Sequence, residues 1–210
     1  DELAALAVAP RARLLVVPPA VPTPVPLSRD EARHALGISA GEHRVVAVGR
    51  CVPIKRFGDF VTAVALDREL RGDLVGTGPE LSALAAGARA AAGRVTLRGA
   101  VPDIAGKLAA YDALVLPSRR EGCPLVAIEA FAAGIPVVGY DVAGVRDALA
   151  HWGRGLLVPE SAGPAGLLAA VRRLRAEPGL AGECIRASRA GLERFRPAAV
   201  ADRLAALYSP

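Results

Sequence analysis

The chain has 210 residues, 52% apolar and 22% charged, which suffices to bury a full core and excludes disordered, collagenous, coiled-coil and mini-protein classes. No run of about 18 uncharged apolar residues occurs to span a membrane, and three widely spaced cysteines, Cys51, Cys123 and Cys184, speak against a disulfide framework or zinc site and for a reducing compartment. The net charge is +5, but the cations are scattered and only Lys55 and Lys107 are lysine, so no nucleic-acid partner is expected.

The first residues, Asp1-Glu2-Leu3-Ala4, lack a basic stretch followed by an apolar run, so no secretory signal is read and a cytoplasmic location is expected. Residue 1 is not methionine, and the chain reads as a piece of a longer or processed one. Short β-branched runs then alternate with alanine-rich amphipathic stretches, which predicts an α/β fold with a doubly wound parallel sheet flanked by helices. The expected strands are Leu14–Val17, Arg44–Val48, Asp73–Val75, Val95–Leu97, Ala113–Leu116, Pro136–Gly139 and Leu156–Val158. Helices are expected near 28–36, 58–70, 79–92, 103–111, 124–133, 164–176, 181–194 and 198–208. Ser28-Arg29-Asp30-Glu31 reads as a capping box, with Gly37 placed to stop the same helix. Pro79, Pro124 and Pro164 sit where a first helical turn tolerates a missing N–H. The proline-rich run from Pro18 to Pro26 reads as a stiff linker, so residues 1–27 are expected to be the tail of something upstream and 28–210 the domain.

In such sheets ligands bind beyond the carboxyl ends of the strands. After the strand ending at Val48 come Gly49, where the chain turns closely, and the cations Arg50 and Lys55. Two cations there suit a polyanion, the alternative being solvated loop charges. Gly76-Thr77-Gly78-Pro79 is a tight turn feeding a helix, and reads as a structural turn rather than a full dinucleotide fingerprint. Arg98-Gly99-Ala100-Val101 offers backbone groups to a flat ligand. The richest segment runs from Pro117 to Ala130 and holds Glu121 on a loop and Glu129 inside the next helix. The two carboxylates then flank a helix N-terminus whose free amides, at Leu125 and Val126, suit a phosphate. A phosphate with a carboxylate on each side needs hydroxyl-bearing groups at both ends, the layout of a nucleoside-diphosphate sugar. The alternative makes Glu129 a surface helix residue and Glu121 a loop charge. His34, His43 and His151 have no partner at ligand or triad spacing and read as structural or solvated.

Arg50-x4-Lys55, Gly76-Thr77-Gly78-Pro79, Glu121-x7-Glu129, Gly134-Ile135-Pro136-Val137-Val138, Gly144-Val145-Arg146-Asp147 and Gly155-Leu156-Leu157-Val158-Pro159 occur in one order. Over about residues 40–208 the chain thereby resembles the donor-binding domain of bacterial retaining GT-B glycosyltransferases of the glycosyltransferase 4 type. The resemblance implies that Arg50 and Lys55 bind the donor diphosphate, that Glu129 bonds the ribose hydroxyls and that Glu121 lies at the donor sugar. The backbone of Gly122, Cys123, Pro124, Leu125 and Val126 would hold sugar hydroxyls and phosphate, with Gly49 and Gly78 in the donor turns and Gly99, Ala100 and Val101 near the base. It implies transfer from a UDP- or GDP-sugar without cofactor or metal, in keeping with the lack of any Asp-x-Asp pair. Partners are the sugar nucleotide and an upstream acceptor-binding domain, with a peripheral membrane contact open to the longer protein and the isolated domain expected to be inactive. The other reading is a stand-alone nucleotide-sugar-binding module without catalysis. Cys123 stands where an aromatic is common, Asp147 where glutamate is usual, and the loop from Ala65 to Asp73 is short.

Overall fold

A computed structural model describes residues 16–22 and 25–208. They fall into two compact units, one spanning Thr23–Leu192 and the other joining Asp1–Pro22 to Glu193–Pro210. The first unit holds the whole sheet. Its elements are α1 (Arg29–Leu36), β1 (Arg44–Val48), α2 (Phe57–Ala65), β2 (Arg71–Val75), α3 (Leu81–Ala90) and β3 (Val95–Gly99), then α4 (Ile104–Lys107), β4 (Ala113–Leu116) and α5 (Leu125–Ala133). β5 (Val137–Tyr140), a π-helical turn (Asp147–Trp152), β6 (Leu156–Val158), α6 (Gly163–Ala176) and α7 (Pro178–Ala190) complete it. In the second unit the Val21 N–H donates to the Phe195 carbonyl at 2.8 Å, and α8 runs over Pro197–Tyr208.

The six strands are all parallel, in the order β3-β2-β1-β4-β5-β6. β1 and β4 are neighbours in the sheet but not in the chain, so the strand order reverses between them. Val45, Val46 and Ala47 of β1 and all four residues of β4 are buried, because helices cover both faces. α2, α3 and α6 pack side by side on one face, and α1, α4 and α5 on the other, with α7 against α5. Gly72 lies so close to Val64 and Phe60 of α2 that a Cβ there would stand 2.7 Å from Val64 Cγ2.

The caps act locally as the sequence predicts. The Ser28 hydroxyl caps the Glu31 N–H, Glu31 reaches back to the Ser28 N–H at 3.0 Å, and Gly37 ends α1 in the left-handed conformation at φ 65°. Other expectations shift. The helix foreseen at 58–70 stops at Ala65, because Asp67 Oδ1 takes the Glu69 and Leu70 N–H groups at 2.9 and 3.2 Å and turns the chain into β2. β2 opens at Arg71, two residues before the expected start, paired with Arg44. The single helix expected over 103–111 tightens after Lys107 into a 3-10 turn, Leu108–Ala110. Pro79 precedes α3 rather than opening it, and Pro124 is the N-cap of α5. α7 starts at Pro178, three residues early, since a proline suits its first position. Of the strand expected at Leu14–Val17, Leu14 and Leu15 lie outside the described residues, and Val16 and Val17 are in no strand; most of the 1–27 tail likewise lies outside them. No described helix is long and apolar enough to cross a membrane.

Candidate functional site

The crevice at the β1/β4 reversal is where an open α/β sheet offers room for a ligand. The loops beyond the carboxyl ends of the strands meet there backbone to backbone. Gly49 donates to the Val75 carbonyl, Cys51 to Thr77 and Gly76 to Gly99, at 2.7–2.9 Å. A Cβ on Gly76 would stand 1.8 Å from the Gly49 oxygen, and one on Gly78 2.4 Å from the Cys51 oxygen, so glycine alone allows this approach. The glycines read as a structural turn are therefore structural in this sense, and they join the loops after β1, β2 and β3. On the other side, Arg119 N–H donates to the Ile54 carbonyl at 2.8 Å and Glu121 N–H to Ala143 at 3.1 Å, tying the loop after β4 to those after β1 and β5.

Side chains converge on this frame. Lys55 Nζ donates to Glu121 Oε1 at 2.7 Å, across 66 positions of sequence and directly over the reversal. Its stem lies along Gly49, where a Cβ would stand 3.6 Å from Lys55 Cε. The same oxygen of Glu121 accepts the hydroxyl of buried Ser118 at 2.5 Å, and among the described residues no donor meets Oε2. Ser118 lies within the segment singled out from the sequence, but a pairing with a side chain three residues on has no signature in spacing. Arg50 is exposed and makes no ion pair among the described residues, so it is not drawn to the Lys55–Glu121 pair.

Glu129 lies one turn into α5 and is half-buried. Burial pushes its carboxyl above the ordinary range, and the neighbouring carboxylate of Asp103, on the loop after β3, adds to the rise. Glu129 thus neighbours Asp103, on the loop after β3, and Glu121 is paired with Lys55, on the loop after β1. Between them α5 presents the amides of Leu125 and Val126, which have no carbonyl a turn earlier in the helix, and no side chain caps this end. Gly122 is exposed and Cys123 half-buried before Pro124. Burial, then Glu121, push the Cys123 thiol up, so it is a thiol rather than a nucleophilic thiolate. Gly99 is left-handed at φ 65°, with Ala100 exposed and Val101 half-buried beside it.

A cavity of about 480 Å³ opens at the opposite, amino edge of the sheet between His43, Asp112, Pro136 and α7. Its cations already have partners, Arg29 on Asp112 and Arg175 on Glu69, so the crevice, where the loops after the strands converge, is the better candidate. Burial pushes the His43 imidazole toward its neutral form. His34 is exposed. His151 Nδ1 does find an acid, Asp147, but at 3.8 Å and with both side chains more than half exposed, which makes no catalytic pair.

The family described as "Glycosyl transferases group 1" matches residues 42–177. A D-inositol 3-phosphate glycosyltransferase of Segniliparus rotundus is 37% identical over 92% of this chain and 46% of its own length. A sucrose-phosphate synthase from Thermosynechococcus elongatus superimposes with a TM-score of 0.85 at 26% identity, over 99% of this chain and 55% of that one. Anabaena Alr3699/HepE, solved in complex with UDP and glucose, superimposes at 0.77 and 22% identity over 85% and 51%. The chain spans from about a third to about half of the length of the curated relatives it matches.

Proposed function

Because the chain belongs to the group 1 glycosyl transferases, we propose that it is the donor-binding half of a retaining enzyme of the glycosyltransferase 4 type. That enzyme moves a sugar from a UDP- or GDP-sugar to an acceptor held by a domain beyond this chain. The carrying observation is the division of the two glutamates. Glu121 is held at Lys55, Glu129 is half-buried near Asp103 on the loop after β3, and the helix end at Leu125 and Val126 has no side-chain cap. A nucleoside-diphosphate sugar has matching parts in matching order: base and ribose toward Gly99–Val101 and Glu129, diphosphate at the α5 amides, hexose at Glu121.

Breaking the anomeric bond leaves charge on the diphosphate, and groups already aimed at that charge supply a large share of a rate enhancement. Lys55, Arg50 and the Leu125 and Val126 amides have this role in the proposal, with no divalent ion required. Arg50, exposed in the structure, would have to swing inward on binding. Glu121 Oε2, met by no donor among the described residues, would take a sugar hydroxyl, so Glu121 orients the sugar and does not attack it. In the retaining step the acceptor approaches from the leaving-group face, and a donor phosphate oxygen takes its proton.

The test is calorimetric titration of the chain with UDP, GDP and NAD, repeated on Glu129→Ala and Lys55→Ala. Saturable binding of one diphosphate, weakened about tenfold or more by each substitution, is expected for charge-assisted contacts. Binding of NAD alone, or of a diphosphate equally well to both variants, overturns the reading.

A further inference from the structure

Between Lys55 and α2 stands Arg56, whose backbone is left-handed at φ 48°, ψ 39°. Only glycine enters this region freely, and a longer side chain persists there when its surroundings over-determine it. The Arg56 N–H closes the short turn Pro53–Lys55 onto the Pro53 carbonyl at 3.1 Å, and its own carbonyl accepts the Asp59 N–H at 2.9 Å. Glycine would make both bonds without strain, so the turn alone does not account for arginine.

The side chain does. Its Nη2 meets Asp59 Oδ2 at 2.7 Å, its Nη1 donates to Glu160 just past β6, and its guanidinium lies 5.0 Å from the ring centroid of Tyr140 at the end of β5. Tyr140 is fully buried and donates its hydroxyl to the same Asp59 oxygen at 2.8 Å. The strained residue is therefore moored to α2, β5 and the loop after β6. Its chain neighbour Lys55 carries the ammonium on Glu121.

We infer that Arg56 is a positioning residue: its moorings to Asp59, Tyr140 and Glu160 fix the Pro53–Lys55 turn, and with it the place of the Lys55 ammonium at the donor diphosphate. This rests on reading Lys55 as a diphosphate contact. A guanidinium is suited to the task because its planar fork bonds two carboxylates while its face stacks on a ring.

The experiment titrates UDP and GDP, and the matching monophosphates UMP and GMP, into the chain and into Arg56→Gly, Glu160→Ala and Lys55→Ala. Glycine keeps the left-handed turn but releases the moorings. Arg56→Gly is expected to keep the circular dichroism spectrum and to bind the preferred diphosphate about 5- to 10-fold more weakly, as for one loosened charged contact. Binding of the monophosphate stays within about twofold of the parent, since the shorter ligand depends less on Lys55. Glu160→Ala, which leaves the turn sequence intact, shows the same selective loss in smaller measure. Diphosphate binding unchanged in both variants overturns the inference, as does an equal loss for mono- and diphosphate, which marks a merely structural residue. A Lys55→Ala chain that binds the diphosphate like the parent overturns the donor-site reading itself, whatever Arg56 does.

Discussion

Glu129 shows how a proposed binding residue weighs on the stability of the fold that carries it. It stands between Ile128 and Ala130 on an otherwise apolar helix, half-buried and beside the carboxylate of Asp103. Both features disfavour its ionised form, so its folded-state pKa lies above the ordinary 4.5. Between those two values the folded chain holds a proton that the unfolded chain has released. The stability contributed by this group is thus complete below pH 4.5 and is lost as pH rises through the raised value. Glu129→Gln cannot ionise and escapes that loss. Urea midpoints of the two proteins should diverge in favour of the glutamine variant between pH 4 and pH 7. A difference that does not vary with pH would contradict the burial argument. The same variant should bind nucleotide worse, which is the cost of using a buried acid as a ligand group. The motif spacing singled out Glu121, Glu129 and Lys55 as candidates from residues alone. Ser118, Asp103 and Arg56 were not, because what singles them out is a partner or a backbone angle, and neither is written in local spacing.

Buried ion pairs set the register at the level of elements. Asp73 of β2 has no exposed surface, and Arg44 of β1, Arg98 of β3 and the Tyr111 hydroxyl all converge on its carboxylate, the last at 2.8 Å. The residue after it, Leu74, points to the α2 face with Gly72, so a slip of one position would put the carboxylate among Phe60 and Val64 and leave two guanidiniums without it. Asp73→Asn keeps the shape and removes the charge, and should destabilise the chain by about 3–5 kcal/mol, as breaking one partner of a buried pair does. Chemical denaturation measures this directly; a loss under about 1 kcal/mol would mean that the arginines reach water instead. The identity of the six sheet strands was legible from β-branched runs with Gly and Pro between them, and the helix starts from Ser28 and Pro164, whereas Pro79 and Pro124 precede their helices. Boundaries were not, where a side chain such as Asp67 takes backbone N–H groups that a helix would otherwise use. The π-helical turn after Gly144 was also unseen, since no local residue pattern announces one and its neighbours in the fold select it.

The whole molecule supplies its own reporter of ligand. Its single tryptophan, Trp152, packs against the core of the Thr23–Leu192 unit, the unit that holds every candidate site residue, whereas circular dichroism records helices of both units. A ligand that binds only folded protein stabilises it by about 2.7 kcal/mol at 100 times its Kd. For a chain of this size each kcal/mol raises the midpoint by about 2–4 °C, so the tryptophan-detected transition should rise by about 5–10 °C with UDP or GDP at that excess. Lys55→Ala, assayed at the same nucleotide concentration, should show about half that shift or less, because its Kd is about tenfold or more larger. Should the two units melt separately, only the transition seen by Trp152 should move, since every candidate site residue lies in the Thr23–Leu192 unit. A tryptophan midpoint that stays put under saturating diphosphate would mean that this half of the fold does not hold the donor by itself. The division between the two glutamates would then need the proposed acceptor-binding domain to become a site.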